Sequence, residues 1–148
     1  MSNPLNVHLP ADRHYHPVNH IWALRPSGND SAPVLIGIDA MLLDNLGELA
    51  YIDLKVAGMQ LQVGDSMGTL EAAKMTAEIF TPISGKIIKS NLLILERPLL
   101  VNDSPYEAGW MLAIAPDSWD ADAQALISGD AIAGWAVEEA RRFAELPG

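Results

Sequence analysis

Short apolar or alternating runs, each closed by a glycine or a proline, fill the chain from Val34 to about Ile114. Runs of this length between turn residues favour β-strands over helices. The breaks fall at Gly37, Gly47, Gly58, Gly64, Gly68, Gly85 and Gly109, with Pro82, Pro98 and Pro105 among them. The predicted strands are residues 21–24, 34–38, 49–54, 60–63, 66–72, 77–80, 85–90 and 110–115. The pattern therefore predicts an all-β sandwich or barrel.

Three segments are predicted to be helical. Asp39 can cap a helix over residues 40–46 that ends at Gly47. After Pro116, a helix capped by Asp117 or Ser118 is predicted to reach about residue 127 and to break at Gly129. The last helix has Ile132, Ala136, Ala140, Phe143 and Ala144 on one face. We expect this face to pack on the β core, the alternative being an amphipathic tail that binds a partner.

Length and composition limit the classes of function. At 148 residues the chain is expected to form a single domain over 1–148, with its core at about 14–115 and a helical extension at about 117–146. Its formal net charge of -10 disfavours binding to nucleic acid or an anionic membrane and suits partners with positive surfaces, although such acidity can also simply give solubility. Neither a membrane-spanning run nor a signal peptide is evident, so a cytoplasmic protein is expected.

The chain contains no cysteine, so disulfides, thiolate metal ligands and cysteine nucleophiles are excluded. Any redox chemistry must come from an attached group. No nucleotide-binding loop or catalytic triad motif stands out either, so we expect no catalytic residue and no independent active site.

Lys74 lies between two predicted strands, within the segment Leu70-Glu71-Ala72-Ala73-Lys74-Met75-Thr76. A turn at Pro82-Ile83-Ser84-Gly85 follows. This pattern resembles the modification hairpin of lipoyl and biotinyl carrier domains, in which a lysine flanked by small side chains is open to a ligase. Residues 63–68 and 82–87 lead into and out of the hairpin through similar glycine turns, which suggests a quasi-symmetric pair of arms.

Further landmarks extend the resemblance over about residues 14–115. They are His20-Ile21-Trp22, Ile36-Gly37-Ile38, Leu46-Gly47-Glu48-Leu49, Asn91, Leu100-Val101-Asn102-Asp103-Ser104-Pro105-Tyr106 and Gly109-Trp110. Their order resembles that of the glycine cleavage H proteins and of H-like lipoyl carriers. The resemblance implies a flattened β barrel or sandwich of the lipoyl and biotinyl carrier type, a barrel-sandwich hybrid with peripheral helices. It also implies lipoate covalently attached to Lys74.

By the same resemblance the protein is a non-catalytic carrier that shuttles a lipoate-bound intermediate and reducing equivalents between enzymes. The implied partners are a lipoate-protein ligase or a lipoyl or octanoyl transferase, glycine decarboxylase, aminomethyltransferase and dihydrolipoyl dehydrogenase. Glu71 would contribute to an acidic docking face around the hairpin tip, or would simply be a solvated carboxylate.

Some positions depart from the H-protein pattern. Ala72-Ala73 stands where Ser-Val is usual before the lysine, Ile21 replaces the glutamate of His-Glu-Trp, and Asp39 replaces a threonine. H-like carriers also serve a sulfur-oxidising system with a heterodisulfide reductase-like complex, which is the first alternative. A biotinyl carrier is a further alternative, since Met75 follows the lysine as in biotin carriers although Ala73 precedes it. An unmodified H-like scaffold is the last.

His14, His16 and His20 lie close together near the N-terminus and resemble a metal-binding cluster. A zinc site needs three or four ligands on a rigid frame, so we expect these residues to be structural and no metal to bind. His20 and Trp22 belong to the landmarks of the resemblance and are expected to be structural, with the imidazole hydrogen-bonded. The four tryptophans are expected to bury apolar surface where strands and helices meet.

Overall fold

The computed structural model describes residues 7–26, 32–73 and 75–145. In chain order its strands are β1 (His14–Tyr15), β2 (Ile21–Leu24), β3 (Val34–Ile38), β4 (Leu49–Leu54), β5 (Gln60–Leu61), β6 (Ser66–Ala72), β7 (Met75–Phe80), β8 (Gly85–Ser90) and β9 (Leu112–Pro116). The helices are α1 (Ala40–Leu46), α2 (Leu92–Glu96), α3 (Leu99–Asp103), α4 (Trp119–Ala123) and α5 (Ala131–Ala144).

The described strands pair in antiparallel fashion and form two sheets. One sheet has the order β1-β2-β3-β9-β8-β5 and the other the order β4-β6-β7. Both sheets contribute to one apolar core, in which Ile36 and Ile114 of the larger sheet and Ile52 and Leu70 of the smaller are at most 2% exposed. The predicted all-β sandwich or barrel with peripheral helices is therefore confirmed.

Two glycines let neighbouring strands approach closely. A Cβ atom on Gly68 of β6 would collide with the carbonyl oxygen of Asp53 in β4, and one on Gly85 of β8 would collide with that of Ala115 in β9. The two glycines have nearly the same φ, 157° and 155°. Gly68 lies in the segment before the hairpin and Gly85 in the segment after it, and the quasi-symmetry of the two arms stays a prediction.

Trp22 is fully buried and fills the space above a third glycine. It pairs with Gly37 across the β2-β3 ladder, where a Cβ atom would lie 2.8 Å from the indole ring. The guanidinium of Arg13 lies 4.6 Å from the ring centroid, and the indole nitrogen donates to the carbonyl of Pro105 at 3.0 Å. The expected burial of tryptophan surface is complete for Trp22, whereas Trp110, Trp119 and Trp135 are only half-buried.

Two asparagines fix the segment between β8 and β9, where α2 and α3 were not predicted. Asn91 caps α2 by accepting from the Leu93 amide, and its side-chain amide donates to the carbonyls of Ala108 and Trp110. Asn102 of α3 accepts from the Leu49 amide and donates to the Gly47 carbonyl, both at 2.9 Å. The second asparagine thereby positions the first residue of β4.

The remaining helices agree in part with the sequence analysis. Helix α1 has the predicted bounds, with the Asp39 carboxylate accepting from the Leu42 amide and Gly47 at its C-terminus. Helix α4 ends at Ala123, four residues before the predicted end, and Ser118 makes no capping hydrogen bond. The carboxylate of Asp122 instead accepts from the backbone and hydroxyl of Ser84.

Helix α5 packs on the β core, as expected. Ile132 is buried against Tyr15 and Trp22, and Trp135 packs beside them. Ala144, which was predicted to lie on the packed face, is exposed.

Smaller differences concern strand ends. β5 stops at Leu61, β7 begins at Met75, β9 covers Leu112–Pro116, and the two-residue β1 was not predicted.

The single-domain organisation stays a prediction. Among the described residues, no helix combines the length and the apolar character needed to cross a bilayer.

The close approaches predict a strong position dependence for glycine-to-alanine substitution. Gly68→Ala and Gly85→Ala should each lower the free energy of unfolding by about 2–4 kcal/mol, because the new methyl group must displace a backbone carbonyl. The matched control is Gly134→Ala in α5, which has open space around it and should raise stability by about 0.5–1 kcal/mol. Urea unfolding measures all three. Equal stability of the Gly68, Gly85 and Gly134 variants would contradict the close approach.

Candidate modification hairpin

β6 and β7 form the hairpin that leads to and from position 74. Ala72 pairs with Met75, so positions 73 and 74 are the connection between the two strands. Ala73 and Met75 on either side of the lysine position are both exposed. Lys74 itself lies outside the described residues, and its assignment as the modified residue stays a prediction.

The inner face of the hairpin is buried up to the connection. Leu70 is 2% exposed, Ile79 4% and Ala72 9%. β6 lies between β7 and β4, and Ala72 pairs with Leu49 on the β4 side. Since Asn102 holds the Leu49 amide, the end of the hairpin is supported by packing below and by hydrogen bonds at its side.

The outer face of the same sheet carries carboxylates. In one cross-strand row Glu71 lies between Tyr51 and Thr76, and in the next row Thr69 lies between Asp53 and Glu78. Asp53, Glu71 and Glu78 are exposed, and none forms an ion pair with a described residue. The arrangement suits an acidic surface beside the connection, and the role of Glu71 in docking stays a prediction.

His20 is buried between two carboxylates. Its Nδ1 lies 2.8 Å from Oδ2 of Asp39, and its Nε2 lies 2.7 Å from Oε1 of Glu139. The ring stacks on Trp135 at a centroid distance of 5.1 Å, and Phe143 lies 5.2 Å away. His20 has the left-handed φ of 60°, and its carbonyl accepts from the Asp39 amide. The prediction of a hydrogen-bonded imidazole is confirmed.

This geometry favours the imidazolium form of His20. An ionised carboxylate only accepts hydrogen bonds, so both ring nitrogens must donate. Burial by itself lowers the pKa of His20, but the hydrogen bonds and charges of Asp39 and Glu139 outweigh it and raise the pKa above 6.5. The pKa of Glu139 is lowered, first by the hydrogen bond from Arg142 and also by that from His20, against a smaller effect of burial.

The other two histidines have separate structural roles. His16 Nδ1 accepts from the amides of Val18 and Asn19 and closes the turn before His20, and burial, together with the charge of His20, lowers its pKa. His14 packs edge-on against Trp119 at 5.0 Å. Within the described ranges, no group of three or more histidine, aspartate or glutamate side chains is placed to hold a metal ion.

The two sheets around one core, with a lysine position in the hairpin connection of the smaller sheet, define the lipoyl and biotinyl carrier class. Comparison with known proteins identifies the family within this class. The Glycine cleavage H-protein family model matches residues 15–139. The chain belongs to the glycine cleavage H-protein family.

Individual relatives agree with the family match. A glycine cleavage system H protein from Magnetococcus marinus is 35% identical over 130 residues, which cover 88% of this chain and 89% of the relative. One from Mycobacterium tuberculosis is 38% identical over 112 residues, covering 76% and 81% respectively. The crystal structure of a glycine cleavage system H protein from Mycobacterium marinum matches with a TM-score of 0.76 at 26% identity, covering 89% of this chain and 99% of that one.

The raised pKa of His20 predicts a pH-dependent stability. A group whose pKa is higher in the folded than in the unfolded state stabilises the folded protein, and this contribution is complete below the unfolded pKa, which is 6.5 for histidine. The contribution is lost as the pH rises through the pKa of the folded state. The free energy of unfolding should therefore fall as the pH rises from about 6.5 through the raised pKa of His20 in the folded protein. Glu139 has the opposite pH dependence: its contribution to the stability of the folded state is lost as the pH falls through its lowered pKa.

Glu139→Gln tests the pair directly. The substitution should lower the free energy of unfolding by about 1–3 kcal/mol near pH 6. Above that pH the free energy of unfolding should fall less steeply than in the unchanged protein, because the glutamine amide can hydrogen-bond to either the charged or the neutral imidazole. Glu138→Gln is the control, since Glu138 is exposed and pairs with the exposed Arg141 at 2.7 Å. Urea unfolding as a function of pH gives both results. The same pH profile in both variants would contradict the interaction.

Proposed function

We propose that this protein is the lipoyl carrier of a glycine cleavage system, with lipoate in amide linkage on Lys74. The observation that carries the proposal is the Ala72–Met75 pairing, which leaves only positions 73 and 74 in the connection of the hairpin. Membership of the H-protein family supports lipoate over the biotinyl alternative and over an unmodified scaffold.

The described neighbours of Lys74 fit such a modification. Ala73 and Thr76 are small and exposed, and the buried side chains of the hairpin point to the opposite face of the sheet. A ligase can therefore approach the connection without moving the core. Lipoate bound there would supply a reversible disulfide, which the chain lacks because it has no cysteine.

The role proposed for the chain itself is mechanical and electrostatic. The buried face of the hairpin fixes the base of the arm, and tethering raises the effective concentration of the bound group at a docked enzyme. Asp53, Glu71 and Glu78 attract a positive partner surface toward the connection. The chain is not an enzyme in this proposal, since its residues orient the attached group and leave the chemistry to the partner enzymes.

The proposed partners are those of the glycine cleavage system. They are a lipoate-protein ligase or a lipoyl or octanoyl transferase, glycine decarboxylase, aminomethyltransferase and dihydrolipoyl dehydrogenase. The relatives named as glycine cleavage H proteins favour this set over a heterodisulfide reductase-like complex. A cytoplasmic location is part of the proposal.

The first test is the intact mass of the protein purified from its own cells, followed by peptide mapping. The expected result is a lipoyl adduct on Lys74. Lys74→Arg should abolish the adduct while cooperative unfolding is kept, because the core contacts of the hairpin come from its buried face. Lys86→Arg is the control, since Lys86 is an exposed lysine in β8 and should keep the adduct.

Each other outcome contradicts a defined part of the proposal. A biotinyl adduct would place the protein in carboxyl transfer, and an adduct retained by Lys74→Arg would move the site. Loss of cooperative unfolding in that variant would give Lys74 a structural role. Lipoate on Lys74 that accepts neither an aminomethyl group from glycine decarboxylase with glycine nor electrons from dihydrolipoyl dehydrogenase with NADH would favour the sulfur-oxidising system.

A further inference from the structure

The lysines other than Lys74 lie along one strip at the surface. The segment that follows β4 runs beside β8: Ser90 Oγ donates to the Lys55 carbonyl at 2.8 Å, and Gly58 N donates to the Ile87 carbonyl at 2.8 Å. Gln60 then pairs with Lys86 in the β5-β8 ladder. Lys55, Lys86 and Lys89 are thereby brought to one side of the molecule, and all three are exposed.

Exposed aliphatic side chains lie between these lysines. Val56 is 63% exposed, Ile88 50% and Met59 40%. Leu92 and Leu93 at the start of α2 continue the strip with exposures of 69% and 49%. Large apolar side chains concentrated in this way, with cations around them, are typical of a protein interface.

The three lysines differ from Arg13, Arg141 and Arg142, whose guanidinium groups are engaged by other groups of the chain. Arg13 contacts Asp12 and the Tyr106 carbonyl, and Arg141 and Arg142 pair with Glu138 and Glu139. By contrast, no ion pair joins Lys55, Lys86 or Lys89 to a residue in the described ranges. Lys89 only approaches the Trp110 ring, at 6.0 Å. In a chain of net charge -10, this strip is a local positive surface.

The strip lies away from the modification hairpin. Along β4, Leu49 pairs with Ala72 next to the connection, whereas Leu54 pairs with Gly68. The distance along the strand between these pairs is roughly 17 Å at about 3.4 Å per residue, and Lys55 lies beyond Leu54. The strip is therefore a surface separate from the connection.

We propose that the strip formed by Lys55, Val56, Met59, Lys86, Ile88 and Lys89 docks a partner protein whose contact surface has carboxylates around an apolar centre. Charge complementarity selects this occupant. A second copy of the chain, an anionic bilayer or a nucleic acid would each meet the repulsive field of the whole molecule, whereas a partner enzyme can offer a local acidic patch. The choice of partner enzymes in the test rests on the proposed function.

The test measures binding of the chain to purified glycine decarboxylase, aminomethyltransferase and dihydrolipoyl dehydrogenase by titration calorimetry. Lys74→Arg is the common background, so that binding does not depend on an attached group. Lys55→Gln, Lys86→Gln and Lys89→Gln combined should raise Kd for at least one enzyme about tenfold at low salt, and less at high salt. Val56→Ser with Ile88→Thr should raise Kd at both salt concentrations.

A second triple variant controls for net charge. Asn45→Asp, Gln124→Glu and Ala131→Glu are at exposed positions outside the strip and lower the net charge by the same three units. This variant should keep Kd within about twofold of the background. Equal weakening in the two triple variants would overturn the proposal, as would background protein that binds none of the three enzymes. Self-association abolished by the lysine variant would assign the strip to a second copy instead.

The result is independent of the lipoate assignment. If the mass test finds no lipoate but the lysine variant weakens binding, the docking surface stands and the carrier function fails. If lipoate is present but the lysine variant binds like the control, the carrier function stands and the strip has no docking role.

Discussion

The position of the modification hairpin depends on the close backbone contact between Gly68 and the Asp53 carbonyl. β6 joins β4 to β7, so any displacement of β6 from β4 would shift the whole hairpin and the connection at its end. Gly85 makes the corresponding contact with β9 in the larger sheet. The register of the β6-β7 hairpin against β4 thus depends on a residue without a side chain, several residues from the connection.

The His20 pair adds an electrostatic constraint on α5. Asp39 stands where H proteins commonly have threonine, and its two carboxylate oxygens have separate functions: one accepts from the Leu42 amide and the other contacts His20. Glu139 reaches the same ring from the C-terminal helix. Removing one of these ionisable side chains would leave a buried charge without its partner, so His20, Asp39 and Glu139 depend on one another. The departure at Asp39 therefore has a structural explanation and does not weaken the family assignment.

Local signals predicted most of the strands and α1, because glycine breaks and the Asp39 cap act on adjacent residues. They failed for α2, where the apolar run Leu92–Leu95 suits a short helix or a strand equally well. They predicted the helix after Pro116 but placed its end four residues too late, and the contact of Asp122 with Ser84, 38 residues earlier, has no local signal. The candidate lysine was recognised from its short motif. The contact of Glu139 with His20, 119 residues away, has no local signal.

The distribution of charge matters more for this carrier than its total. A net charge of -10 would suggest a uniformly acidic surface, yet carboxylates line the outer face of the β4-β6-β7 sheet while unpaired lysines lie beside β8. Every enzyme that uses an arm on the hairpin must approach the same connection, so the connection cannot distinguish among them. Specificity is a difference of affinities, and that difference has to arise from surfaces other than the connection. A carrier with several partners therefore needs dissimilar faces around one rigid hairpin, and the two sheets provide them.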